Sequence, residues 1–191
     1  DAAVAIVADL VAIAQELGFK AYISEWVKGA ALLDAGRPAA AIEPLAGAAA
    51  SAGETGDVGA ASSVIGQLAR ALALAGHVDE AARRSVEARA LTSPSDRWSA
   101  LLWRGAAARV YAAQGRPVEA RTLADEMVAI LADIDYPGIE FHARLDAAAG
   151  YDAAGERGAA EALLRRAVAD SSERGAAGFA RQAEAALARA G

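Results

Sequence analysis

His142 is the residue most open to a chemical reading, because Asp133, Asp135 and Glu140 precede it closely. Carboxylates and an imidazole at such short range are the ligand types that bind divalent cations. The segment Asp133-Ile134-Asp135-Tyr136-Pro137-Gly138 departs from a calcium loop after its first two ligands, and Arg144 stands where the closing Glu would be. It reads instead as a turn, with Asp133 and Asp135 solvating it and capping the next helix. His77 is the other imidazole. It follows Gly76 and reads as solvated, so a Ser-His-Asp triad has few ways to form. Gly53, Gly56 and Gly59 are followed by no Lys, so they do not make a phosphate loop. Gly150 and Gly155 open no dinucleotide fingerprint. Glu156, Glu161, Arg165 and Arg166 read as pairs along a helix face, and Arg83-Arg84 as solvated charge. No catalytic residue, metal or cofactor is assigned, and the expectation is a chain that is not an enzyme.

Composition narrows the partners. Among 191 residues, 25 acids outnumber 19 Lys and Arg, a net charge of −6. Nucleic-acid binding needs clustered basic residues, so no nucleic-acid partner is expected. With no cysteine there is no disulfide, thiolate metal site or Cys nucleophile. The longest apolar run, Ala2 to Ala14, is interrupted by Asp9, is too short to span a bilayer and lacks a basic leader. A cytoplasmic location with no membrane partner is the expectation. The chain opens on Asp1 with residues that already read as helix, which suggests a segment of a longer protein.

The elements that must position these groups recur. Gly36, Gly76, Gly115 and Gly155 are spaced by 40, 39 and 40 residues. Five residues after each stands Ala41, Ala81, Ala120 or Ala160. Seven before stands a small residue, Gly29, Ala69, Ala108 or Ala148. Four before stands a large one, Leu32, Leu72, Tyr111 or Tyr151. This pattern predicts helical hairpins. Each glycine ends a first helix in the left-handed cap region, and Pro38 and Pro117 open second helices where a missing N–H costs nothing. The small residues let the two helices cross closely, and the large one fills the seam a turn along.

The resulting assignment is all-α. A leading helix covers about 2–17. Pairs follow at 19–35 and 38–51, 57–75 and 78–91, 96–114 and 117–132, 139–154 and 158–170, then a last helix at 176–190. Ser51 to Asp57, Thr92 to Asp96, Asp133 to Gly138 and Asp170 to Gly175 read as loops, with Ser95 or Asp96 as an N-cap. Pro44 predicts a kink or a late start in its helix. One repeat domain is expected over 1–191: leading helix 1–18, repeats 19–56, 57–95, 96–137 and 138–175, and terminal helix 176–191.

The small, large, Gly and Ala positions together resemble the tetratricopeptide repeat. In the first copy these are Gly29, Leu32, Gly36 and Ala41. A period near 40 is longer than the usual ~34 residues. It is similar to the lengthened repeats in the C-terminal part of large bacterial regulators, such as cyclases fused to an AAA-type ATPase and LuxR-type signalling ATPases. Gln15-Glu16-Leu17-Gly18-Phe19 before Trp26, and Asp96-Arg97-Trp98 opening a helix that ends at Ala113-Gln114-Gly115, strengthen the likeness. No cyclase or ATPase motif is present in this chain.

The resemblance implies a right-handed α-solenoid whose first helices line a concave groove. Carried over residue by residue, its groove positions include Trp26, Arg70, Arg109, His142 and Asp152. Arg70 and Arg109 hold the same place in successive repeats. They could clamp a carboxylate or an acidic peptide, with Trp26 as an apolar anchor. The alternative is that Trp26 packs against the leading helix while both arginines pair with carboxylates of the chain. Trp98 and Trp103 read as packing residues. The functional expectation is a non-catalytic protein-interaction or regulatory scaffold module that binds a peptide, a partner domain or itself. The alternative is a small-molecule sensor domain of a signalling ATPase or transcriptional regulator.

Overall fold

The structure is a computed structural model that describes residues 21–190; the expected leading helix lies outside them. The described residues form helices joined by short turns, with no strand among them. They are α1 (Ala21–Asp34), α2 (Pro38–Glu54), α3 (Val58–Leu74), α4 (Val78–Leu91), α5 (Arg97–Ala113), α6 (Pro117–Leu131), α7 (Pro137–Ala153), α8 (Arg157–Glu173) and α9 (Ala177–Ala190). Each packs on its neighbour in sequence. In addition α5 lies between α3 and α7 and packs extensively on both, a pattern consistent with a helical repeat. None of these helices is long and apolar enough to cross a membrane.

The turns explain the recurring glycines. Gly36, Gly76, Gly115 and Gly155 have φ of 70°, 86°, 68° and 77°. After each, the next N–H reaches back to the carbonyl of Leu32, Leu72, Tyr111 or Tyr151 at 2.8–2.9 Å. The large residue of the pattern therefore also supplies a carbonyl that closes the turn, while the residue after it accepts from the glycine N–H. Ala41, Ala81, Ala120 and Ala160 are fully buried. At Gly29 a Cβ would lie 2.5 Å from Leu45, so this crossing of α1 and α2 requires glycine.

Three expectations are corrected. Ser51–Glu54 and Asp170–Glu173 are not loop but the last turns of α2 and α8, closed by the same glycine device at Gly56 and Gly175. Of the kink or late start expected in α2 at Pro44, the late start is excluded. That helix begins at Pro38 and runs through buried Pro44, with Leu45, Ala48 and Ala52 packed into the core beside it. Asp133 and Asp135 do not cap α7. Glu140 reaches back one turn, and its Oε1 accepts the Tyr136 N–H at 2.7 Å. At the other loops Asp57 and Asp96 do cap, accepting from Ala60 N and Ser99 N.

Candidate functional site

The polar centre of the molecule is built by α3, α5 and α7. Arg70 of α3 and Arg109 of α5 each stand six residues before their turn glycine; Asp146 of α7 stands nine before its own. Arg70 Nε donates to Asp146 Oδ2 at 2.6 Å, and Arg109 Nε to Oδ1 at 2.5 Å. Arg109 Nη2 also donates to the Leu145 carbonyl. Arg70 and Asp146 sit on helices that flank α5, so their contact must pass across it. Gly105 of α5 makes the passage: a Cβ there would lie 2.6 Å from Asp146 Oδ2. At the same register position of the preceding hairpin, Gly66 lets α5 settle onto α3, where a Cβ would meet Leu102 at 2.8 Å.

Burial alone would raise the Asp146 carboxyl. The Arg109 and Arg70 guanidinium groups outweigh it and hold the group at about 2, below its ordinary 3.8. Asp146 is therefore ionised throughout the neutral range. The cluster carries one positive charge, two cations against one anion. The two arginines thus share a carboxylate of their own chain, the second of the arrangements expected for them.

Asp34, at the end of α1, closes the face from the other side. Its Oδ1 lies 2.6 Å from His142 Nε2 on α7, and its backbone carbonyl accepts from Gln182 Nε2 on α9. A carboxylate can only accept, so His142 carries its proton on Nε2. Nδ1 is buried without a partner. Burial, then the Arg70 charge, lowers the His142 pKa, with Asp34 and Asp146 opposing. Phe141 and Phe179 pack edge-on against its ring. The first and last described hairpins are in this way tied across the inner helices.

Clefts open beside this tie. One of about 220 Å³ lies between Leu33, Asp34, Gln67, Trp98, Tyr136 and His142. Another of about 250 Å³ is lined by Leu33, Leu74, Leu145, Arg70, Arg109 and Arg189. Trp26 is half-buried, and its Nε1 donates to Gln67 Oε1 at 2.9 Å, which fixes it to α3. Asp152 is exposed at a smaller cleft that Arg109 and Arg189 also line. Trp98 packs edge-on to Tyr136, while Trp103 is covered by the Arg104 and Arg89 guanidinium groups. Arg70, Arg109 and His142 are thus brought together, whereas Trp26 and Asp152 stand apart from the polar centre.

The acids near His142 in sequence are dispersed. Asp133 pairs with Arg97, Asp135 with Arg174 and Glu140 with Arg144. Among the described residues no group of three His, Cys, Asp or Glu could hold a metal ion. Sequence reading missed Asp34 and Asp146 as partners. Asp146 carried a signal, since it is the one charge inside the apolar run Leu145 to Gly150. Asp34 carried a weaker one: the repeat register places it among the groove positions, two before Gly36, without pairing it to His142. No protein-family model matches the chain, and no curated protein matches it.

Proposed function

We propose that this chain is a non-catalytic interaction and regulatory scaffold module. In this reading it is a right-handed α-solenoid of about four tetratricopeptide-like hairpins from a cytoplasmic bacterial signalling protein. It binds a peptide, a partner domain or a second copy of itself through the face of its inner helices. The observation that supports this most is the shared register. Residues from α1, α3, α5, α7 and α9 converge on one face, where two clefts flank the Asp34 tie. A surface assembled from equivalent positions of successive hairpins is how helical repeats build extended binding faces.

The test compares two exposed residues. Leu74 is 37% exposed at the inner-face cleft, and Val86 is 69% exposed on α4. Leu74→Glu is expected to abolish capture of the partner, or self-association measured by sedimentation, while Val86→Glu leaves both intact. Loss on Val86→Glu alone, or on neither, contradicts inner-face docking.

A second reading, a small-molecule sensor, is favoured by the tie itself. Asp34 is held by both α7 and α9 beside clefts of about 220 and 250 Å³. A ligand seated there would alter how the first hairpin meets the last, and so the curvature passed to an attached domain.

A further inference from the structure

We infer that the cleft between α1, α3, α7 and α9 is a binding site for a small organic anion, with one carboxylate or phosphate head on a ring or short apolar chain. The inference rests on the sensor reading of the inner face and names its ligand class.

Arg70 carries the argument. It is 3% exposed, and its only hydrogen bond among the described residues is from Nε to Asp146. Its two terminal nitrogens therefore hold four N–H groups with no acceptor in the described protein. They are not among the buried unpartnered atoms either, so they keep contact with open space. Arg70 lines both inner-face clefts. A guanidinium held this rigidly, with its fork unused, is organised for a bidentate oxyanion.

The surroundings choose between the two clefts. The smaller one contains the Asp34 carboxylate, which would repel an anion. The larger has no Asp or Glu in its lining and adds Arg109 and Arg189. Among the described residues Arg109 keeps Nη1 unbonded and Arg189 makes no ion pair. Asp146 is 2% exposed with both oxygens already engaged, so it offsets one of the three positive charges and leaves two. Leu33, Leu74 and Leu145 provide an apolar wall. A dry cavity of about 150 Å³ accepts a benzene ring. The cleft's 250 Å³ leaves room for a ring plus a head group. That size favours a small acid over a peptide segment.

The test uses benzoate, phenyl phosphate, benzyl alcohol and inorganic phosphate as probes. Binding is followed by calorimetry and thermal shift at constant ionic strength. Benzoate or phenyl phosphate is expected to bind and raise Tm. Which of them binds tighter distinguishes a carboxylate from a phosphate head. Benzyl alcohol has the apolar body without the charge, and inorganic phosphate the charge without the body; both are expected to bind at least tenfold more weakly. Arg189→Gln, at an exposed position that leaves the fold alone, is expected to weaken the preferred anion by about tenfold, one charge-assisted hydrogen bond. Leu74→Asp is expected to abolish binding. Equal binding of benzyl alcohol, equal binding of inorganic phosphate, no effect of Arg189→Gln, or no binding by either organic anion each overturns the inference. Partner capture lost on Leu74→Glu but with no anion bound would leave the docking role standing and remove only the ligand site.

Discussion

Replacing Asp146 by Asn tests the polar centre while changing almost no volume. At neutral pH Asp146 is ionised and bonded to both Arg70 and Arg109. Lowering its carboxyl from 3.8 to about 2 corresponds to about 2 kcal/mol in favour of the folded state. The substitution also leaves Arg70, 3% exposed, without a counter-charge. Breaking a buried pair from one side costs about 3–5 kcal/mol, which for a chain of this size lowers Tm on the order of 10 °C. Thermal and urea unfolding followed by circular dichroism measure both quantities. The sign with pH is fixed. A carboxyl held below its unfolded pKa stabilises fully above about pH 4, and that contribution disappears as pH falls through about 2. The wild-type and Asp146→Asn curves should therefore converge towards pH 2. A triple change, Arg70→Met, Asp146→Leu and Arg109→Met, removes all the charges together and should recover most of the loss. A deficit under about 1 kcal/mol for Asp146→Asn at pH 7, or one unchanged at pH 2, would refute the reasoning.

Four further outcomes are expected. Gly105→Ala should lose about 1–3 kcal/mol because its Cβ would meet Asp146 at 2.6 Å, whereas Gly47→Ala, facing open space in α2, should gain about 0.5–1 kcal/mol; urea unfolding compares them. Gly115→Ala meets no neighbouring atom but must hold φ near +68°, so it isolates a backbone cost of about 1–2 kcal/mol in the same assay. The Tyr151 phenol is pushed up to about 12 by burial and by its bond to Asp125, so alkaline absorbance titration should show a late component that Tyr151→Phe reduces by one tyrosine. The His142 pKa is lowered by burial and then by the Arg70 charge, so stability should decline as pH falls below its ordinary 6.5, and His142→Gln should flatten that decline in unfolding measured from pH 7 to 5.

Much of the fold was legible because its signals are local. The turn glycines announce a left-handed cap, and the alanines five residues later are buried by the same helix crossing each time. Where a turn followed a second helix, at Gly56 and Gly175, the polar residues before it disguised helix as loop. The site was half legible. Repeat register put Arg70 and Arg109 on one face, because equivalent positions of stacked hairpins must coincide. It did not reveal what they bind, since Asp146 reaches Arg70 only through the missing side chain of Gly105. That coincidence of two helices leaves no periodic trace. The tie joins Asp34 to His142 and Gln182, 108 and 148 residues further along the chain. No short-range pattern encodes it.

The closure across the inner helices is best tested by cross-linking. The chain lacks cysteine, so Asp34→Cys combined with Gln182→Cys introduces one defined pair. Gln182 Nε2 lies 2.6 Å from the Asp34 carbonyl, which places the two residues side by side. A short bismaleimide should join them within one molecule, rapidly and independently of protein concentration. A chain that links only between molecules, or not at all, would contradict the Gln182–Asp34 contact that ties α9 to the end of α1.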